Sequence, residues 1–412
     1  MKRQFRDYHV ANNLEFHLTR HKAIEYIRDN VIRFCVLGVV PVGQRDRIAT
    51  LWHQQMAKYI SERREAYYSA SQYERDARCV AAPGTSDKYR AWTVMDDHTV
   101  MENIPEAREY AHARIPNSDR DGPALYKWWG PEVISPVLDY DDPETLESLR
   151  KVCGTLRDRL RVHKPMAQVS FDVHVHIGQE HGWTLLQMKK FATLWHLIEN
   201  DLYTLHRRGQ RDAPWVGPLA TESRLAYEVI KNEHIERSVV ATTPEPMRSA
   251  YAIQMAHHMP RVARPDQRAF FHNIWQYARL TDLSEALALK ERKGSLCWYL
   301  TGRKLTPEPT TEYRQTMEFR MMQGTMDAQH IWRWASICER LVVFCRDSSA
   351  AVFKSAIQDI MDGKLPELGF SREDLAWFAA RQTDDGYFEY PDRNHVEWSQ
   401  VFMVPGFGAT HG

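Results

Sequence analysis

Between residues 169 and 177 apolar and polar side chains alternate without a break. Val169, Phe171, Val173, Val175 and Ile177 fall on one side, and Ser170, Asp172, His174 and His176 on the other. A period of two marks a strand with one buried face. Thr316 to Met321 repeats the pattern, with Met317, Phe319 and Met321 apolar and Thr316, Glu318 and Arg320 polar. A stretch of helical period follows each run. After the first, Thr184 and Gln187 have the spacing of a capping box, and Met188, Phe191, Trp195, Ile198, Leu202 and Leu205 form an apolar stripe with Gly209 as the expected C-terminal cap. After the second, Asp327 is placed to cap a helix carrying Ile331, Trp334, Cys338, Leu341 and Cys345. These elements predict a sheet with one apolar face under helices and one polar face left open for chemistry.

Elsewhere the pattern is coarser. The first ninety residues are charged and helix-prone, with Ile48 to Tyr73 reading as one long helix, and Val31 to Val42 is the most apolar early run. Loop signals stand at 81–86, 115–119 and 306–311, and the chain beyond Asp347 reads as helical before turning irregular and glycine-rich at 405–412. No fixed-period repeat breaks the chain. The expected organisation is a helical segment at 1–89, with room for a degenerate first strand, packed on a main domain at 90–346. Residues 347–412 extend the same unit.

Composition narrows the function. Fifty-four basic and 54 acidic residues among 412 cancel, which argues against a global nucleic-acid or anionic-membrane footprint. Hydrophobic residues at 43% and aromatics at 11% suffice for a large core. Six scattered cysteines without a CxxC pattern suit a reducing compartment. Val31 to Val42 is too short to span a bilayer, and MKRQFRDYHV has no apolar signal region, so a cytoplasmic location without a membrane partner is expected.

The candidate chemistry lies on the polar strand faces. His174 and His176 stand about 6.6 Å apart by strand rise and suit a divalent metal, with Asp172 in position to orient an imidazole. The plain alternative is a hydrogen-bonded histidine pair. Glu318 and Arg320 share a face as a catalytic pair or as an ordinary salt bridge. Glu132 opens a strand, where rim residues are common. His206, Arg207 and Arg208 end a helix, where cations complement the dipole. His257 and His258 are neighbours on a helix and point apart, so they make no site.

Taken in order, these segments resemble the amidoligase family. The resemblance is carried by Val173-His174-Val175-His176-Ile177-Gly178, the helix with Trp195 and Glu199 ending in His206-Arg207-Arg208, and Thr316-Met317-Glu318-Phe319-Arg320 leading through Gly324-Thr325-Met326-Asp327 to Trp334. Upstream, Trp92 to Thr99 and Glu132-Val133-Ile134-Ser135-Pro136 match two further motifs, so it covers roughly 90–346. The family is related to carboxylate–amine ligases of the glutamine synthetase and glutamate–cysteine ligase fold.

That resemblance implies an α+β fold, an antiparallel sheet backed by long helices with ATP and Mg²⁺ on the open face. It also implies amide formation between a small-molecule or peptide carboxylate, activated as an acyl phosphate, and an amine. Carried over, Glu132, His174 and Glu318 are metal ligands converging in one pocket, and Glu318, Arg320 and His176 are catalytic. Arg320, Arg207 and Arg208 contact phosphate or substrate. The family's early E-x-E strand has its nearest counterpart in Asn13-Leu14-Glu15-Phe16, where Glu15 is the remaining metal candidate and Asn13 replaces the first glutamate. That departure keeps a non-catalytic binding protein of the same fold as an alternative. A two-histidine, one-carboxylate metal enzyme is another.

Overall fold

In the computed structural model, the described residues are 31–35, 38–41, 92–96, 126–129, 131–136, 138, 142–159, 172–178, 183–206, 210–213, 216–226, 245–289, 294–300, 315–364 and 368–381. The alternating run becomes strand β6 (Asp172–Gly178), and its second copy becomes β8 (Gln315–Gln323). They pair antiparallel, with Val175 opposite Phe319, His176 opposite Glu318 and Ile177 opposite Met317. Opposed residues share a face, so one side carries Val175, Phe319, Ile177 and Met317, all buried.

Around this pair the described strands β1 (Val31–Cys35), β3 (Thr93–Asp96), β5 (Pro131–Ile134) and β7 (Leu296–Leu300) complete a six-stranded antiparallel sheet in the order β3-β5-β1-β6-β8-β7. A separate ribbon pairs β2 (Gly38–Pro41) with β4 (Tyr126–Trp129). The described part of the chain is therefore α+β.

Strand β1 lies in the segment expected to be helical with room for a first strand, and Val31–Cys35 stands between β5 and β6, pairing with both. The β-branched residues of the Val31 to Val42 run favour an extended backbone over a helix. The sheet thus draws on chain before residue 90. The long helix at 48–73, the Glu15 segment and the 405–412 tail lie outside the described residues.

The helices form the apolar cover. Helix α1 (Pro143–Arg159) packs on α7 (Ala328–Asp347), and α7 packs on α2 (Leu185–Tyr203) and β6. Phe191 and Trp195 of α2 meet Phe319 edge-on, at ring separations of 5.9 and 5.5 Å. The capping box at Thr184 forms in both directions, Gln187 N–H donating to Thr184 Oγ1 at 3.2 Å and Thr184 N–H to Gln187 Oε1 at 2.9 Å. Asp327 caps α7 by accepting from the N–H groups of Gln329 and His330. Helix α2 ends at Tyr203, six residues before Gly209, which lies outside the described residues. The Thr204 hydroxyl donates to the Asp201 carbonyl at 2.6 Å, a local bond that competes with further helix.

The remaining α-helices among the described residues are α3 (Leu219–Glu222), α4 (Glu245–His258), α5 (Pro265–Gln276), α6 (Leu280–Leu287), α8 (Ala350–Met361) and α9 (Arg372–Ala379). Two lysines of α2 are buried and serve as anchors. Lys189 Nζ donates to the Trp275 carbonyl at 2.7 Å, in the last turn of α5, and Lys190 Nζ donates to the Ser348 carbonyl at 2.8 Å, just past α7. Cations suit both helix ends. Burial lowers the Lys189 ammonium to about 8.

His206 is also buried, against Trp334 at 4.5 Å, instead of standing as a cation at the helix end. Burial lowers its pKa to about 3 and holds His330 well below the usual imidazole range, so both are neutral in the fold. Between pH 6.5 and about 3 the unfolded chain binds protons that the folded chain refuses, so stability is lost as pH falls through that window. Asp172, raised to about 6, works in the opposite direction between pH 3.8 and 6, because its folded carboxyl keeps a proton longer. Removing His206 leaves the opposing effect of Asp172 in place. His206→Phe is therefore expected to flatten the loss by about 1.4 kcal/mol per pH unit between about pH 6 and 4. Urea titrations across that range would give parallel curves for mutant and wild type if His206 is not a buried neutral group.

At Gly294 an added Cβ would force two buried leucine side chains to shift. A Cβ there would lie 2.6 Å from Leu219 Cδ2 and 2.9 Å from Leu289 Cδ1, beside the bridge to Gly217. Gly294→Ala is expected to destabilise the fold by about 1–3 kcal/mol, as overpacking does. A melting temperature equal to that of wild type would refute the tight contact.

Candidate active site

The register of β6 and β8 shifts once. Between Val173 and Val175 β6 advances two residues, while β8 runs three, from Met322 to Phe319. The extra residue is a bulge at Arg320–Met321, a feature that re-aims a side chain. Here the guanidinium turns back onto Glu318. Arg320 Nη1 lies 2.8 Å from Glu318 Oε1, and the same oxygen is 3.2 Å from His174 Nδ1 and 3.4 Å from His176 Nε2. Arg320 Nη1 is also 3.4 Å from His174 Nδ1.

The polar face is not open as expected. Glu318 is 2% exposed, His176 6%, Arg320 7% and His174 9%. Burial alone would push the Glu318 carboxyl up, but His176, Arg320 and His174 outweigh it and hold it well below the usual range. Its second oxygen, Oε2, is buried and has no hydrogen-bond partner.

Asp172, at the edge of this cluster, does not orient His174. Its Oδ1 accepts from Gln210 Nε2 at 3.1 Å, and its Oδ2 is buried without a hydrogen-bond partner. Burial raises its pKa to about 6 against the opposing effects of Arg320 and Gln210.

The sequence candidates therefore divide. His174, His176, Glu318 and Arg320 come together. Glu132 is half-buried on β5 and opposes Cys35, while Arg33, two residues back on β1, opposes His174. This register gives Glu132 the face of His174, but β1 intervenes, leaving the two strands about 10 Å apart across the sheet. Glu132 thus shares the face of His174, one strand beyond β1. Arg207, Arg208 and Glu15 lie outside the described residues. Among the described residues no group of three or more His, Cys, Asp or Glu side chains forms a metal-holding arrangement. No described helix is long and apolar enough to cross a membrane.

One buried carboxylate escaped the sequence reading of the site. Glu199 on α2 is fully buried and collects four donors: the N–H groups of Leu219 and Ala220, each at 2.8 Å, the Trp195 indole at 3.2 Å and the Ser295 hydroxyl. Burial raises its pKa while the four donors oppose the rise. Its signal was present: Glu199 follows Trp195 by four residues and precedes Leu202 by three, on the apolar stripe. His258 is likewise structural, its Nδ1 2.8 Å from the Gln254 carbonyl.

The fold and this cluster define an α+β protein with an ionised carboxylate, a guanidinium and two imidazoles gathered on one sheet face. The model of the family described as "Putative amidoligase enzyme" matches residues 43–268, more than half of the chain. The chain belongs to that ligase family. The match begins earlier than the motifs at 90–346 suggested and stops within α5, so it includes Glu132, His174, His176, Arg207 and Arg208 but not Glu15, Glu318 or Arg320. No curated protein matches the chain, and no solved structure does.

Exposed ion pairs contribute at most about 1 kcal/mol, but Glu318 and Arg320 are buried together. Glu318→Gln leaves a guanidinium buried without its main counter-charge and is expected to cost about 3–5 kcal/mol. Glu318→Leu with Arg320→Met is expected to cost less than its two single changes summed, with a coupling of about 0.5–3 kcal/mol by urea unfolding. Strict additivity would show that the two charges do not compensate each other.

Proposed function

We propose that the protein is an ATP- and Mg²⁺-dependent ligase joining a carboxylate to an amine on a glutamine synthetase-like sheet. The observation that carries this reading is the Glu318 cluster. One carboxylate oxygen is held by Arg320 and two imidazoles, and the other is buried with no partner. An unpartnered anionic oxygen suits a hard cation that takes one or two protein carboxylates and fills its remaining positions with phosphate oxygens and water. In that mode Glu318 Oε2 would supply one ligand oxygen to Mg²⁺, with Glu132, His174 and Glu15 as the further candidates. When bound, the ion neutralises phosphate charge.

In this reaction the γ-phosphoryl group of ATP passes to a carboxylate oxygen and ADP leaves. The amine nitrogen then attacks the acyl carbon and inorganic phosphate leaves. Arg320 stabilises charge on the transferred phosphoryl group, with Arg207 and Arg208 as further phosphate or substrate contacts. His176 takes the proton of the attacking amine at an imidazole nitrogen. Substrates are a small-molecule or peptide acid and an amine.

A second reading has its own observation. A cluster no more than 9% exposed, with Glu318 Oε1 shared by three groups, is also what a non-catalytic protein of this fold would keep as an ionic core. The two-histidine metal reading is weaker, because Arg320 Nη1 at 2.8 Å already supplies positive charge at the shared carboxylate oxygen.

Thermal unfolding with Mg-ATP separates the two main readings, since ligand at about 100 times Kd adds about 2.7 kcal/mol. A ligase is expected to show that stabilisation and to release ADP when supplied with pools of acids and amines. Arg320→Lys keeps a positive charge beside Glu318 and is expected to lower turnover about 10²–10³-fold. Neither stabilisation nor ADP release in the wild type would leave the ionic-core reading in possession.

A further inference from the structure

We infer that Glu199 is a positioning residue, acting through Ser295 to hold the β8 backbone where the bulge aims Arg320. The path is continuous. The Ser295 hydroxyl donates to Glu199 Oε1, and the Trp195 indole lies 3.2 Å from that oxygen and 3.3 Å from the hydroxyl. The Ser295 N–H donates to the Gly217 carbonyl at 2.9 Å, and its own carbonyl accepts the Arg320 N–H at 2.7 Å. Ser295 lies just before β7, next to the Leu296–Phe319 pair, so this bond clamps β8 from the β7 side where its register against β6 slips.

The physical need is specific. A bulge disrupts the regular ladder, and the backbone of Arg320 depends on whatever holds it from the other flank. Ser295 is a short side chain between β7 and the 217–220 segment, and Glu199 fastens both. It accepts from Leu219 and Ala220 on one side and from Ser295 on the other. Trp195 packs edge-on against Phe319 at 5.5 Å, so α2 braces both the residue before Arg320 and the carbonyl that receives its N–H. The Glu199 carboxylate is on the helix side of the sheet and need not touch a ligand to influence the cluster.

The inference rests on the ligase reading only in treating Arg320 as functional, and its test needs no substrate. In the full chain labelled with ¹⁵N-arginine, the Arg320 side-chain N–H signals are identified by their loss in Arg320→Lys. Ser295→Ala removes the hydroxyl and preserves the Ser295 backbone groups. It is expected to speed hydrogen exchange of the Arg320 guanidinium about tenfold while the protein stays folded, as local opening becomes easier. Ser295→Thr, which keeps a hydroxyl, is expected to restore the slow exchange, and Glu199→Gln to reproduce the fast one.

A residue that merely staples α2 to the 217–220 segment would lower the urea midpoint without changing Arg320 exchange. Wild-type exchange in folded Ser295→Ala would therefore overturn the inference, even if Glu199→Gln fails to fold. The Mg-ATP response reports separately. Fast Arg320 exchange in Ser295→Ala, with a wild type that ignores Mg-ATP, supports the positioning role and removes the ligase reading, whereas a wild type that responds to Mg-ATP, with unchanged exchange in Ser295→Ala, does the reverse.

Discussion

A carboxylate leaves water only when hydrogen bonds or counter-charges compensate it, and at Glu318 the counter-charges that do so organise the sheet around it. Isolated in a low-dielectric interior, it would take up a proton or destabilise the fold by several kcal/mol. It stays ionised because Arg320, His174 and His176 stand on the same oxygen. Bringing them there requires β6 beside β8 in one particular register and the extra residue near Arg320. A one-residue slip would exchange the two faces, moving the charged residues under the helices and the Val175–Phe319 row to the other side.

Helix α2 meets the same kind of constraint on the opposite side of the sheet. Its apolar stripe carries the packing, but Lys189, Lys190 and Glu199 are buried as well, and each ends on backbone groups of a neighbouring segment. The two lysines meet carbonyls at or beyond helix C-termini, and the glutamate meets N–H groups at the start of α3. Donors and acceptors that a purely apolar interface would strand are thereby satisfied. These charges give the interface direction as well as adhesion, because each ends on defined backbone groups of a neighbouring segment.

Family membership and the cluster illuminate different parts of the molecule. The family match ends within α5, before β7, β8 and α7. The ionic cluster joins the two portions, since His174 and His176 lie inside the match while Glu318 and Arg320 lie beyond it. The stretch beyond the match therefore completes the ionic cluster that the matched portion begins. The covered polar face gives this arrangement its dual character, as a pre-organised site for charge or as a self-neutralised core.

Local pattern alone determined β6, β8, the capping box at Thr184, the Asp327 cap and the helical stripes, because period and capping depend on neighbours within a few residues. It also placed His174, His176, Glu318 and Arg320 on polar strand faces, since alternation fixes the face once the strand is known. Tertiary structure decided what alternation cannot express. Position in the sheet depends on pairing between distant segments, so Val31–Cys35 became an interior strand, and Glu132 came to share a face with His174 from two strands away. Burial depends on what covers a face, so the expected open surface became a charge-compensated interior, and His206 became a neutral packing residue against Trp334. Glu199 shows the boundary most plainly: its place on an apolar stripe was legible in the sequence, but its four donors come from α2 itself, from residues 219–220 and from Ser295, which only the folded chain brings together.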